Sequence, residues 1–293
     1  MLYVHAGQFH ADDAFCIAAA QLLGFGPEFE RVRELPENFN PQSDIALDIG
    51  GVFNPAQNKF DHHQRGGSDD GLAAIGKFWS VYGPRYCQDQ RVANRVYLTL
   101  IGSIDRADIG VSDWTPIRDD WRHLTASGFI ASMNPQPGRP VEETNWAFAA
   151  AVSAAKVALV GAIAQARLYI EMSDVVEQST SHFNGRVLEI AKSGPWQEHV
   201  FEQSLDMVLF VIYPSERGGF CIQCVPDKPG SFGQRKPLPE SWKGLRGEEL
   251  AAVIRREEIS LTVGPALFCH PGRFIGGAET LADTLLMAKL AIG

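Results

Sequence analysis

Cysteine is scarce in this 293-residue chain: the five present, Cys16, Cys87, Cys221, Cys224 and Cys269, are odd in number and scattered. That excludes a disulfide framework and suits a reducing compartment, here the cytoplasm. The CxxC at Cys221 and Cys224 has no second copy, and a three-residue step along a strand sends the two thiols to opposite faces, so a zinc ribbon is excluded as well. Basic charge is also short, and a formal net charge of −9 argues against a surface that coats nucleic acid. It still permits a nuclease whose acidic residues gather around cations. The opening MLYVHAGQFHADD has no basic n-region, no apolar h-region and no Arg/Ser-rich transit pattern, so neither export nor organelle import is expected. Repeats and low-complexity tracts are absent. One run, WAFAAAVSAAKVALVGAIAQARLYI from Trp146 to Ile170, has the length of a membrane span, but alanine is only weakly apolar and Lys156, Gln165 and Arg167 interrupt it. It reads as a long soluble helix packed on both sides, and no membrane partner is expected.

What is present is an ordinary globular composition, 45% hydrophobic and 21% charged, enough for a large core and for two domains. Short β-like runs alternate with helical ones over the first hundred or so residues: LYVH, then DDAFCIAAAQLL, FERVR and DIALDIGG. Such alternation predicts an α/β fold with a mostly parallel sheet. Helical patterns LAAIGKFWSVYG and RVANRVYLTLIGSIDRADIG follow, then the loop NPQPGRP. After about residue 180 the strands RVLEIA, MVLFVIYP and GFCIQCVP, the helix EELAAVIRR and a closing helix after FIGGAET predict a smaller α+β domain. The expected partition is 1–140, a connector helix over 141–180, and 181–293.

The segment NKFDHHQRGG raises the chemical question, because solvated loops are built from Gly, Asn, Ser and Pro rather than from Asp, His and Arg side by side. His5, Asp48 and Asp61 each close a β-like run, where sites gather in parallel sheets. With His10, Asp12, His62, His63, Asp105 and Asp108 they form a set of carboxylates and imidazoles. Burying several carboxylates together costs several kcal/mol apiece, of the order expected for desolvated ions, unless positive charge is supplied. Divalent cations supply it, and mixed oxygen and imidazole donors suit manganese or another first-row ion. Arg65, just past the triplet, is placed to bond a phosphate, and His63 to orient His62 or a leaving group. Asp13 reads as a helix N-cap or first-turn acid. His123, His182 and His199 read as structural.

These motifs resemble the DHH phosphoesterase superfamily, which includes RecJ-like exonucleases, oligoribonucleases and manganese-type pyrophosphatases. Over the whole chain, through HAGQFHADDA, DIGGVFNP, KFDHHQRG, SIDRADIG, PWQEHVFE, FVIYPSERGGFCIQCVP, SFGQRKPLPESWKGLRGEEL and FCHPGRFIGGAET, the sequence resembles the melanocyte proliferating gene protein family, long labelled metal-dependent protein hydrolases. The resemblance implies a DHH-like catalytic domain and a two-cation centre. His5, His10 and Asp12 would stand for the first motif, Asp48 would bridge the ions, Asp61 and His62 would serve within the triplet, and either Asp105 or Asp108 would complete the set, Asp105 being preferred. It implies hydrolysis of phosphodiester bonds in short single-stranded RNA or DNA, in the manner of a 3′–5′ exonuclease. Alternatives are a hydrolase of a small nucleotide or pyrophosphate and a nucleotide- or RNA-binding protein without turnover. The second domain would hold substrate through Arg235, Arg246, His270, Arg273 and an anion cradle at Gly276 and Gly277, read as preceding a helix. A homo-oligomer is compatible with the sequence.

Overall fold

Four residues with three apolar side chains among them, Leu2–His5, form the first strand, β1, of a computed structural model that describes residues 1–63, 71–111, 115, 124–255 and 261–293. Arg65 and His123 lie outside the described residues. The chain divides into two compact units, Met1–Arg167 and Leu168–Gly293.

In the first unit β1 is followed by α1 (Ala11–Leu22), β2 (Phe29–Val32), β3 (Ile45–Leu47), β4 (Phe53–Asn54) and β5 (Lys59–Phe60). Then come α2 (Ala74–Cys87), α3 (Gln90–Val96), a π-helical turn at Tyr97–Ile101, α4 (Gly102–Asp108), α5 (Ala126–Ala131) and α6 (Val141–Glu177). The sheet order is β2-β1-β3-β5-β4. Strand β1 runs parallel to β2 and β3, and β3 parallel to β5, while β4 pairs antiparallel with β5. Both faces are covered, as parallel strands require. Leu2, Ile45, Leu47 and Phe60 are fully buried together with Phe15, Ile17 and Phe78 of the helices, and Tyr3 and Ala46 pack with Ile49, Val32, Leu35 and Phe39. Because β1, β3 and β5 are parallel neighbours, their carboxyl ends emerge at one rim.

The second unit holds β6 (Thr180–His182), β7 (Val187–Glu189), α7 (Gln197–Glu202), β8 (Phe210–Pro214), β9 (Phe220–Cys224), α8 (Gly247–Arg255), β10 (Phe268–Cys269), β11 (Ile275–Ala278) and α9 (Leu281–Ile292). Its sheet order is β10-β11-β9-β8-β7-β6, antiparallel except for the β7–β8 pair. The period-two rule sorts the faces: Phe210, Ile212, Ile222 and Cys224 pack with α8 and α9, whereas Val211, Tyr213 and Cys221 face Met172 and Val176 of α6 and Trp196 and Val200 near α7.

The two compact units meet at residue 167, inside α6. Two expectations change here. Helix α6 is packed on one side, not both: Phe148, Ala151, Val152, Ala155, Leu159 and Ile163 are buried, while Trp146 and Val157 are 75% and 76% exposed. Gly276 and Gly277 do not open a helix. They lie in the middle of β11, paired with Cys269 and Phe268 on one side and Ile222 and Cys221 on the other. A Cβ at Gly277 would stand 2.8 Å from the Phe220 carbonyl oxygen and 2.9 Å from Phe268 Cε1, so glycine is needed for strand packing. The N-terminus of α9 is capped by Thr280, whose hydroxyl accepts from the Asp283 N–H and donates to the Asp283 carboxylate, which leaves no anion cradle. Gly277→Ala is therefore expected to lose about 1–3 kcal/mol of stability through overpacking, read by denaturant unfolding. A loss below a few tenths of a kcal/mol would contradict that packing.

Candidate metal centre

Three of the parallel strands that end at the shared rim, β1, β3 and β5, deliver donors. His5 closes β1; Asp48 follows β3; Asp61, His62 and His63 follow β5. Asp48 adopts φ +54°, a left-handed conformation that aspartate tolerates better than most residues, while its N–H is held by the Phe60 carbonyl at 2.9 Å. Helix α1 adds His10 at its N-cap and Asp12 and Asp13 in its first turn. Its start is braced from far along the chain: Asn134 accepts from the Phe9 N–H at 3.0 Å and donates to the Phe9 carbonyl at 2.7 Å. Asp108 arrives from the last residue of α4.

The side chains converge closely. His5 Nε2 lies 3.1 Å from Asp13 Oδ2 and 3.5 Å from Asp48 Oδ2. His62 Nε2 lies 3.1 Å from Asp108 Oδ2 and 3.3 Å from Asp48 Oδ1. His10 Nδ1 is 3.7 Å from Asp108 Oδ1, and His63 Nδ1 is 3.4 Å from Asp48 Oδ1. A cleft of about 440 Å³, lined by His5, His10, Asp48, Asp61, His63 and Asp108 among others, opens over them.

These donors fit a divalent cation because their buried atoms have only one another or nothing to face. Asp12 Oδ2 and Asp13 Oδ1 are buried with no hydrogen bond, and the buried Asp48 Oδ1 and His62 Nε2 meet only other members of the cluster, a costly arrangement unless an ion completes it. Ligand atoms of His5, His10 and Asp13, of Asp48, His62 and His63, and of Asp12, His62 and Asp108 each lie within 4.8 Å of one another. The donors are oxygen and imidazole nitrogen, the set preferred by hard to borderline divalent ions.

The electrostatics agree. Burial, reinforced by Asp48 and Asp108, pushes the Asp12 carboxyl well above its ordinary value, and burial raises Asp13 against the opposing pull of His5. Burial works on Asp48 in the same sense but is overcome by His62, His63 and His5, which hold it below its ordinary value. Asp108 and Asp48 drive His62 up to about 10. Burial pulls His5 down, yet Asp13 and Asp48 outweigh it and raise it to about 9. His63 rises to about 9, chiefly through Asp48. Without an ion, then, protons stand in as the compensating charge.

The structure redraws several assignments. Asp105 faces away from the cleft: its Oδ1 accepts the Ala73 N–H at 2.8 Å at the start of α2 and its Oδ2 accepts the Tyr97 hydroxyl at 2.9 Å. Gly76 makes room for it, since a Cβ there would collide with the carboxylate. Asp108, not Asp105, joins the centre. Both Asp61 oxygens are engaged within the protein: Oδ2 accepts the Gly51 N–H at 2.6 Å and Oδ1 meets the backbone N–H and ring Nδ1 of His63 at 3.0 and 2.9 Å. Asp13, expected as a helix N-cap or first-turn acid, has a second contact. It does cap α1, accepting the His10 N–H at 2.8 Å, but it also pairs with His5, and the signal for that was the doubled aspartate after His10.

The second-unit candidates are largely occupied with structure. Arg235 donates to the carbonyls of Leu205, Asp206 and Val208. Arg273 sits at φ +56° in a turn and is tied to the Leu238 carbonyl and Glu240. His270 Nδ1 accepts the Gly272 N–H. Arg246 is exposed beside Phe268 and lines a cleft of about 530 Å³ with Arg217, Phe220 and Tyr213.

From residue 1 to residue 292 the chain matches the model of MYG1_exonuc, described as Uncharacterised protein family (UPF0160). The chain belongs to this family. Among curated relatives, MYG1 exonuclease of Rattus norvegicus is 27% identical over 98% of this chain and 83% of its own length. MYG1 exonuclease of Homo sapiens is 28% identical over 98% and 84%, and the MYG1 protein of Dictyostelium discoideum is 28% identical over 97% and 94%. A solved pGpG-specific phosphodiesterase, PggH from Vibrio cholerae, aligns over 99% of this chain and 97% of its own at 11% identity and a TM-score of 0.35, a likeness too distant to carry an argument.

Three outcomes are expected. Manganese added to metal-free protein in weak buffer near neutral pH should release about one or more protons per ion, because raised histidines must give up protons to ligate. Asp13→Asn or Asp108→Asn should weaken that binding ~10-fold or more, whereas Asp105→Asn should leave affinity nearly unchanged and lower stability by about 1–3 kcal/mol. Equal losses of affinity at Asp105 and Asp108 would contradict the geometry. Without metal, histidines raised from 6.5 stabilise the fold fully below that pH and lose the contribution as pH climbs through about 9 to 10. The Tm of metal-free protein should fall across this window; a flat profile would contradict the pairing.

Proposed function

We propose that the protein is a divalent-metal-dependent phosphodiesterase that shortens small single-stranded nucleic acids, with two cations, manganese by preference, in the cleft of the first unit. The observation that carries this reading is the buried donor cluster in which Asp12 Oδ2 and Asp13 Oδ1 have no partner and the side chains of Asp48 and His62 meet only other members of the cluster. Membership in a family whose curated relatives include proteins named exonucleases supports phosphoester chemistry and a nucleic-acid substrate.

Asp12, Asp13, Asp108, His5, His10 and His62 would hold the ions, and Asp48, flanked by His5 on one side and by His62 and His63 on the other, is placed to be shared. Bound divalent cations supply Lewis acidity and lower the pKa of water. Asp61 fixes His63 through Nδ1, so the remaining nitrogen, Nε2, is the one that can hold or deliver a proton to a departing oxygen. His63 is 64% exposed, which gives it access to a bound ester. The carboxylates also impose a condition on substrate binding. A phosphate brought to uncompensated Asp12, Asp13, Asp48 and Asp108 would be repelled, so binding and turnover both depend on the cations. In the second unit Arg246 and Arg217, beside Phe220 and Phe268, offer charge and aromatic surface for phosphate and base. Five free thiols fit a reducing compartment such as the cytoplasm.

Short RNA and DNA oligomers incubated with manganese should be degraded with stepwise shortening. Chelation should abolish this, and Asp48→Asn should lower kcat by about 10³-fold or more. Turnover of nucleotides or pyrophosphate with no chain shortening would replace the nuclease reading with a small-phosphate hydrolase, for which a cleft of about 440 Å³ has room. Undiminished activity in Asp48→Asn would remove the centre itself.

A further inference from the structure

Helix α6 contains an 18-residue stretch apolar enough to be buried throughout, yet only 33% of that stretch is buried. A helix of that kind is ordinarily covered on all sides. One face is covered by Phe148, Ala151, Val152, Ala155, Leu159 and Ile163. On the opposite face Trp146, Ala150, Ser153, Val157, Gly161 and Ala164 recur at steps of three and four and are all exposed. They make an uncharged stripe ~28 Å long at the α-helical rise.

We infer that this stripe is the interface of a homodimer in which two copies of α6 pack antiparallel across a two-fold axis. The inference is independent of the proposed chemistry. Three features of the stripe are self-complementary, as a two-fold contact demands. Its ends carry opposite charge, with exposed Glu142 before Trp146 and exposed Arg167 after Ala164. Setting Glu142 of one copy against Arg167 of the other brings the large Trp146 beside the small Gly161 and Ala164 of the second copy and leaves Ser153 and Val157 near the axis. Among the described residues nothing near Gly161 requires a glycine: a Cβ there would meet nothing within 4 Å, while glycine inside a helix costs about 1 kcal/mol relative to alanine. Close approach of a second helix accounts for it, since small residues let two helix backbones come near. A membrane does not suit the same face, because the buried side of the helix is committed to the core of the first unit and the stripe has no basic rim.

Sedimentation equilibrium of the full chain should give twice the 32.1 kDa chain mass at micromolar concentration. Gly161→Arg, at an exposed position where an added Cβ meets nothing within 4 Å, should give monomer with an unchanged circular dichroism spectrum and unchanged manganese binding. Glu142→Arg and Arg167→Glu should each weaken the dimer about 3-fold, the scale of an exposed ion pair, and the double variant should recover the loss. A wild type that stays at the chain mass near 100 µM, whether or not it binds phosphatidylcholine–phosphatidylglycerol vesicles, overturns the proposal. So does a dimer that Gly161→Arg leaves intact, or a double variant no stronger than the singles.

Discussion

Four carboxylates share one rim of a parallel sheet, and the rest of the first unit is arranged to make that tolerable. Asp12, Asp13, Asp48 and Asp108 gather with little solvent to screen them. Their repulsion is felt as far as Cys16, one turn along α1 from Asp12, whose thiol is pushed well up by burial and then by these same four groups. Helix dipoles relieve part of the strain. Asp12 and Asp13 lie in the first turn of α1, and Asp12 Oδ1 also accepts the Ile75 N–H at 2.7 Å at the start of α2. Asp108 has no such help, because a carboxylate at a helix C-terminus opposes the dipole. Its compensation comes from His62 and His10, and with them from any ion they hold.

The scaffold explains how such a site is held in place. Parallel strands give a common exit for His5, Asp48 and the Asp61–His63 segment, and packing on both sheet faces keeps the exits fixed. Residues outside the donor set then set angles. Asp61 spends both oxygens on Gly51 and His63, and Asn134 grips the backbone of Phe9 ahead of α1. In the second unit Arg235 and Arg273 are spent on backbone carbonyls, while Arg246 and Arg217 line open volume.

Much of the first unit was legible in the sequence because strand ends are marked locally: an apolar run stops and a donor follows, as at LYVH, DIALD and KFDHH. The choice between Asp105 and Asp108 was not. A π-helical turn at Tyr97–Ile101 inserts an extra residue into the helical run, so regular periodicity carried through it does not show which face of α4 meets the cleft. Asp13 was hidden because one side chain both caps a helix and faces the cleft. Gly276 and Gly277 misled for a related reason. Two glycines before a helix look like an anion cradle, and what makes them strand is their pairing with Phe268, Cys269, Cys221 and Ile222, none of which a local reading can supply.

The central claim is that the clustered carboxylates and histidines exist to hold divalent cations. Crystals of the protein grown with manganese and measured at the manganese absorption edge test it most directly. The account predicts anomalous peaks in the cleft at bonding distance from Asp48 and His62, with Asp12, Asp13 or Asp108 completing the shell. Full manganese occupancy elsewhere on the protein, with no peak among these residues, would contradict it.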